Sequence, residues 1–159
     1  MKAPYWDTSC VLALYVPEKI STQAAELASL EKGPIHSSAI LEFEMTFAVH
    51  AKEAQGEIPR GSSGIVLSKF LTDLQQGRFL LVPLGIDIKA RAREMAARTI
   101  QAEPPVFLRM LDGIHIATAL ELGSPELITA DRKMADAASL LGIKTKLPKK
   151  LLTESKKLS

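Results

Sequence analysis

The sequence has little of what would assign it to a secreted or membrane class. Cys10 is the only cysteine, so no disulfide can form within the chain. No apolar stretch approaches the ~20 residues that span a bilayer. The first residues lead directly into a short strand and lack the form of a signal peptide. We therefore expect a protein of the reducing cytoplasm that does not enter a membrane.

The glycine and proline contents and the single cysteine narrow the classes of protein to which this chain can belong. Glycine and proline, nine of each in 159 residues, are too few to indicate disorder. Cys10 could in principle be a nucleophile, but the sequence indicates no general base beside it. The alternative is a buried structural thiol. At 47% hydrophobic, the chain can form one globular domain with an ample core.

The net charge of +2 conceals an uneven distribution. Residues 144–159 contain six lysines and one glutamate, whereas the rest of the chain contains 14 basic and 17 acidic residues. We therefore predict a domain over residues 1–147 and a lysine-rich tail over residues 148–159. Such a tail either attracts phosphate backbones or is a solvated terminus.

Short β-prone segments alternate with segments of helical periodicity along the whole chain, which predicts an α/β fold with a parallel sheet. The predicted strands cover residues 3–6, 34–37, 79–83, 127–130 and 143–146. The predicted helices cover residues 21–31, 38–55, 62–76, 87–101, 111–122 and 132–141. No internal repeat and no second domain is indicated.

Four acidic residues lie next to predicted strand ends or helix starts: Asp7, Glu44, Asp112 and Asp131. Asp7 and Asp131 each close a predicted strand. In an open parallel sheet, ligands bind at the carboxyl ends of the strands, so these two carboxylates should face one place. Hard oxygen ligands gathered in one place suit Mg²⁺ or Mn²⁺.

The two strand-end acids also have a simpler interpretation as helix caps. Asp7 precedes Thr8 and Ser9, and either hydroxyl alone could cap the following helix, which would leave Asp7 free for a metal. Asp131 could cap the helix after it in the same way. Asp136, one turn further on, is either a peripheral acid or an exposed residue.

The other two acids leave alternatives open. Glu44 lies among apolar residues, where an unpaired carboxylate is costly, but Glu42 is a competitor, and periodicity alone does not choose between them. Asp112 begins an apolar helix, where it either complements the helix dipole or serves as a ligand. His115, one turn later, is either a hydrogen-bonded core residue or a ligand or base.

Several carboxylates held close together repel one another, and at neutral pH they favour a divalent cation. Such a cation can lower the pKa of a water molecule, orient it and offset charge on a phosphate. Metal-assisted hydrolysis of a phosphodiester is therefore the predicted reaction class.

At these residues the sequence resembles a PIN domain, and most closely a toxin ribonuclease of the VapC type. The resemblance spans about residues 2–146 and depends on four motifs in a fixed order. They stand in this sequence as Tyr5-Trp6-Asp7-Thr8-Ser9, Ser38 with Glu44 and Ala48, Leu111-Asp112-Gly113-Ile114-His115-Ile116-Ala117-Thr118-Ala119, and Thr129-Ala130-Asp131 with Ala137, Ala138 and Gly142. The long lysine-rich tail departs from the compact family pattern.

The resemblance implies a three-layer α/β/α fold with a short, mainly parallel sheet of about five strands. It selects Glu44 over Glu42 and implies that Asp7, Glu44, Asp112 and Asp131 form a catalytic metal site for Mg²⁺ or Mn²⁺. It implies cleavage of RNA, with tRNA or rRNA as plausible substrates, a homodimer, and inhibition by a cognate antitoxin protein that places a basic residue among the acids. The predicted supporting residues are Thr8, Ser9, Thr129 and Asp136.

Three other functions are compatible with acids at strand ends. A PIN nuclease of RNA maturation or decay would share the whole site. A phospho-acceptor receiver module would need a second acid beside Asp7 and a lysine at a late strand end. An aspartyl-nucleophile phosphatase would need an acid where Ser9 stands. Aromatic residues are only 5% of the chain, so we expect shape and phosphate contacts to dominate RNA binding.

Overall fold

The structure of the protein is a computed structural model that describes residues 2–148. The described residues form five strands and seven helices. The strands are β1 (Tyr5–Trp6), β2 (Ile35–Ser38), β3 (Phe79–Val82), β4 (Glu126–Ile128) and β5 (Lys144–Lys146). The helices are α1 (Thr8–Leu12), α2 (Ser21–Ser29), α3 (Leu41–Ala54), α4 (Ser63–Gln75), α5 (Ile86–Ile100), α6 (Met110–Glu121) and α7 (Arg132–Leu140).

All five strands are parallel, in the order β3-β2-β1-β4-β5. The predicted α/β class and the predicted parallel sheet of about five strands are therefore confirmed. The chain builds outward from β1 to β2 and β3, then returns to place β4 on the other side of β1. A reversal of strand order of this kind leaves a crevice at the carboxyl ends of the two strands that flank it. Here those strands are β1 and β4.

Each face of the sheet carries its own hydrophobic core, because successive side chains of a strand point to opposite faces. Trp6 and Ile128 pack with α1, α3 and α4, where Phe70 is fully buried. Tyr5 and Leu127 pack on the other face with α5, α6 and α7. The predicted three-layer α/β/α architecture follows from these two cores.

The differences from the predicted elements lie at their ends. The sequence indicates only a strand-to-helix turn after Asp7, whereas the structure has a five-residue helix there, α1. The helix predicted to begin at residue 38 begins at Leu41, because Ser38 still pairs with β3. Apart from Pro148, the predicted lysine-rich tail lies outside the described residues. Within residues 2–148, no helix combines the length and apolar composition needed to cross a bilayer.

Candidate active site

The crevice between β1 and β4 brings together the two acids that follow these strands. Asp7 comes directly after β1 and is 2% exposed, and its backbone N–H donates to the carbonyl of Ile128 at the end of β4. Asp131 follows β4 by three residues and begins α7. The strand order therefore explains why two residues 124 positions apart in sequence face the same crevice.

Both acids cap a helix through one carboxylate oxygen, Oδ1. Oδ1 of Asp7 accepts from the backbone N–H of Cys10 in α1, and Oδ1 of Asp131 accepts from Lys133 and Met134 in α7. The expectation that a hydroxyl would cap the first helix is therefore wrong, because Asp7 itself is the N-cap residue. Capping and presentation to the crevice are compatible, since a carboxylate has two oxygens.

Two of the predicted supporting residues tie the end of β1 to the segment after β4. The hydroxyl of Ser9 donates to Asp7 Oδ1 at 2.7 Å and accepts from the N–H of Ala130 at 3.0 Å. The hydroxyl of Thr129, fully buried, donates to Asp7 Oδ2 at 2.7 Å and accepts from the N–H of Asp131 at 3.0 Å. These bonds fix both carboxylates relative to each other.

The four predicted acids line one pocket of about 300 Å³. Glu44 enters it from α3 and Asp112, almost fully buried, from the first turn of α6. The described residues that line the pocket are Asp7, Thr8, Ser9, Glu44, Arg109, Met110, Leu111, Asp112, His115, Asp131 and Met134. The four predicted acids therefore converge together with Thr8 and Ser9. Of the other two predicted supporting residues, Thr129 is buried behind the pocket lining and contacts Asp7, whereas Asp136 lies exposed on α7 and does not line the pocket.

The structure also distinguishes the two glutamates of α3 by their position relative to the pocket. Glu44 is partly buried and lines the pocket, whereas Glu42 is exposed and does not. Oε2 of Glu44 accepts from the hydroxyl of Thr8 at 2.5 Å. Thr8 thus joins the site through Glu44, as Ser9 and Thr129 join it through Asp7.

A buried chain of hydrogen bonds connects Glu44 to His115 and Tyr5. Nε2 of His115 lies 2.6 Å from Glu44 Oε2, and its Nδ1 lies 2.7 Å from the hydroxyl of Tyr5. An ionised carboxylate only accepts hydrogen bonds, so Nε2 of His115 donates to Glu44, while Nδ1 shares the second hydrogen bond with the Tyr5 hydroxyl. His115 is therefore the hydrogen-bonded core residue of the two alternatives, and it also orients a residue of the pocket.

The environment shifts the pKa values of the site in opposite directions. Burial raises the pKa of Asp7 above its ordinary range, although His115, Thr129 and Ser9 all act against this. Burial also acts to raise the pKa of Glu44, but the hydrogen bonds and charge of its partners, chiefly His115, leave it lowered. Burial raises the pKa of the Cys10 thiol, which therefore remains protonated and packs in the core.

One residue of the pocket, Arg109, is not among the residues predicted from the sequence. Its Nε donates to Asp112 Oδ2 and its Nη2 to Asp131 Oδ2, both at 2.7 Å. It is the only lysine or arginine among the described residues that line the pocket. The available signal was its place directly before α6, three residues from Asp112, a spacing at which side chains meet near a helix start.

The donor set of the pocket fits a hard divalent cation. Four carboxylates and the hydroxyls of Thr8 and Ser9 supply oxygen atoms, which are the ligands that Mg²⁺ and Mn²⁺ prefer. As the side chains stand, no three Asp, Glu, His or Cys residues among residues 2–148 form a ready metal-binding group. Arg109 and His115 pair with three of the four carboxylates, those of Asp112, Asp131 and Glu44.

Removing the Thr129 hydroxyl should destabilise the protein. In Thr129→Val, the buried carboxylate of Asp7 loses a donor and the N–H of Asp131 loses its acceptor, so we expect a loss of about 2 kcal/mol in the free energy of unfolding. Thr129→Ser keeps the hydroxyl and should lose less than about 1 kcal/mol. Urea titrations of the three proteins measure this, and equal losses in both variants would contradict it.

Comparison with known proteins gives one family and a set of similar folds. A family model described as PIN domain matches residues 5–140. FitAcB from Neisseria gonorrhoeae has a TM-score of 0.64 and 18% identity, over 91% of this chain and 96% of that chain. A structure of FitAB bound to the IR36 DNA fragment has a TM-score of 0.64 and 21% identity, over 91% and 94%. VapBC2 from Rickettsia felis, bound to a promoter DNA fragment, has a TM-score of 0.63 and 14% identity, over 91% and 98%. No curated protein matches the chain.

Proposed function

The chain belongs to the PIN domain family, and from that premise we propose that it is a divalent-metal-dependent endoribonuclease. The observation that carries the proposal is the convergence of Asp7, Glu44, Asp112 and Asp131 on one pocket. The pocket lies at the carboxyl ends of β1 and β4, where open parallel sheets bind ligands. It is lined by no lysine among the described residues, so the receiver alternative, which needs one, has no support.

In the proposed site, the four carboxylates hold Mg²⁺ or Mn²⁺. When bound, such an ion supplies positive charge for the phosphate and lowers the pKa of a water molecule. Asp7 is held rigidly by Ser9, Thr129 and the cap of α1, so it fixes one side of the site. Glu44 is held by hydrogen bonds to Thr8 and His115. The predicted supporting role of the exposed Asp136 stays a prediction.

We further propose that the protein is the toxin of a toxin–antitoxin pair, acts as a homodimer and is inhibited by a cognate antitoxin protein. The likeness of the fold to the toxin–antitoxin proteins FitAB and VapBC supports this. A basic side chain of the antitoxin could neutralise the acidic pocket, as opposite charges across an interface do elsewhere. Transfer RNA and ribosomal RNA are the proposed substrates.

The test is an RNA cleavage assay with the purified protein on a panel of tRNA and rRNA, in Mg²⁺, Mn²⁺ or EDTA. We expect cuts at discrete sites that require the metal and leave a 5′-phosphate and a 3′-hydroxyl. Asp112→Asn serves as the inactive control. Glu42→Gln serves as the active one, because Glu42 is exposed outside the pocket.

Three other results of the cleavage assay would each contradict a part of the proposal. Cuts that persist in EDTA or in Asp112→Asn would place the reaction elsewhere or identify a contaminant. A 2′,3′-cyclic phosphate would show that the 2′-hydroxyl attacks, which contradicts hydrolysis by water. A folded protein that binds metal but cuts none of the panel would contradict tRNA and rRNA as substrates.

A further inference from the structure

Arg109 bridges two of the proposed metal ligands with two different nitrogens of one guanidinium group. Nε donates to Oδ2 of Asp112 and Nη2 donates to Oδ2 of Asp131, both at 2.7 Å. The residue is in extended conformation directly before α6, so its side chain can reach across the crevice to the start of α7. A planar fork suits such a bridge, which a lysine ammonium cannot reproduce.

The bridge uses an oxygen that a metal would need. Oδ1 of Asp131 already accepts from the backbone N–H groups of Lys133 and Met134 as the cap of α7. Only Oδ2 of Asp131 remains for the pocket, and Arg109 occupies it. A cation that bound Asp131 without undoing the cap would therefore have to take the oxygen that Arg109 holds.

We propose that Arg109 is the internal counterion of the metal-free site, and that a divalent cation binds by displacing its guanidinium from Asp112 and Asp131. The inference rests on the proposed function, because it takes these two carboxylates to be metal ligands. It adds that this chain carries its own competitor for the metal, so that Arg109 sets how much free metal is needed to fill the site.

The position of Arg109 makes displacement feasible. Its side chain is 56% exposed, so the guanidinium can leave the carboxylates for water without crossing the core. Ion pairs of exposed side chains contribute little stability. Asp112 and Asp131 are more buried than Arg109, so their ion pairs with it still compete with the metal. We expect this competition to weaken metal binding by about tenfold, which is the effect of a modest ion pair.

The first measurement is calorimetric titration of Mn²⁺ into the full-length protein and its Arg109→Gln and Arg109→Lys variants. We expect Arg109→Gln to bind Mn²⁺ about tenfold more tightly than the unaltered protein, and Arg109→Lys to fall between them. Arg78→Gln is the matched control, because Arg78 is an exposed arginine paired with Asp73 outside the pocket. It removes the same charge and should leave the affinity unchanged.

The second measurement follows Arg109 itself. In ¹⁵N-labelled protein, the Nε–H signal that is missing from Arg109→Lys belongs to Arg109. Diamagnetic Mg²⁺ should move this signal to the position of a solvated arginine, with the same midpoint as Mg²⁺ binding in the calorimeter. Neither measurement depends on cleavage activity.

The outcomes separate this inference from the proposed function. If the unaltered protein binds metal, but Arg109→Gln binds it no more tightly and the Arg109 signal does not move, the inference is overturned and the metal site stands. If neither protein binds Mn²⁺ or Mg²⁺ while both are folded, the proposed function fails and the inference fails with it. Tighter binding in Arg109→Gln together with a shifted signal supports both.

Discussion

Replacing Asp7 with Asn should lower the rate of RNA cleavage at saturating Mg²⁺ by about 10³-fold or more, since a metal and its ligands supply several kcal/mol of transition-state stabilisation. The same substitution should leave the protein folded and its melting temperature equal or higher. A combination of lost activity and kept stability is expected where a carboxylate is buried for function at a cost to the fold.

The contacts of Asp7 explain why the fold should tolerate the change. Asn keeps a carbonyl oxygen that can accept from the hydroxyl of Ser9 and the N–H of Cys10, so the cap of α1 survives. Asn loses the acceptor of the Thr129 hydroxyl, which can instead accept from the amide nitrogen of Asn, and it loses the negative charge of a residue that is 2% exposed, a charge that is expensive to bury. A neutral amide in that place avoids this penalty.

The pH dependence of stability should differ between the two proteins in a defined direction. Burial raises the pKa of Asp7 in the folded state, so the folded protein holds this proton to a higher pH than the unfolded chain does. The contribution of Asp7 to stability is therefore present below the pKa of an unfolded aspartate, near 3.9, and is lost as the pH rises through the folded-state value. Asp7→Asn lacks this loss.

Urea titrations at several pH values, with and without Mg²⁺, measure the effect. The stability advantage of Asp7→Asn should grow as the pH rises and should shrink when Mg²⁺ is added, because the cation favours the ionised carboxylate of the unaltered protein. Asp87→Asn, which neutralises an exposed aspartate of α5, is the control and should keep full cleavage activity. Substantial cleavage by Asp7→Asn would remove this residue from the proposed metal site.

The sequence carries enough information to predict that the acids meet, because the meeting depends on topology. Alternating strand and helix patterns predict a parallel sheet, and Asp7 and Asp131 each follow a strand of that sheet. Parallel strands end at the same edge, so their following residues converge whatever the details of packing. The motif resemblance then selects Glu44 over Glu42, and the structure places Glu44 in the pocket and Glu42 outside it.

The sequence does not reveal which side chains hydrogen-bond to the four acids. Arg109 lies near a predicted helix start and Tyr5 lies in a predicted strand. Neither sequence pattern indicates where a long side chain points. The bond between Tyr5 and His115 joins residues 110 positions apart and depends on the packing of α6 against the sheet. Hydrogen-bond partners of this kind are set by tertiary contacts and have no periodic signal.

His115→Leu should cost about 3 kcal/mol in the free energy of unfolding, because it removes two buried hydrogen bonds and leaves both partners without them. Leucine nearly fills the volume, so most of the loss should come from the hydrogen bonds to His115 that the Tyr5 hydroxyl and the Glu44 carboxylate lose, while Thr8 still donates to Glu44. Cleavage at limiting Mg²⁺ should fall by about 10- to 100-fold, as when a group that orients a metal ligand is lost. Saturating Mg²⁺ should recover part of this, because His115 acts through Glu44.

Two companion variants show whether the hydrogen-bonded chain is the cause. His115→Gln can still donate to Glu44 from its amide nitrogen, so it should keep more of the metal affinity than His115→Leu while losing the bond from Tyr5. Tyr5→Phe should cost stability in the unaltered protein but little or nothing in His115→Leu, where its hydroxyl has already lost this partner. Urea titrations and Mn²⁺ titrations of the unaltered protein, the three single variants and the double variant test both points. If the two Tyr5→Phe effects are equal, Tyr5 and His115 contribute independently and Tyr5 does not help His115 to hold Glu44, since only a coupled chain makes the second loss smaller than the first.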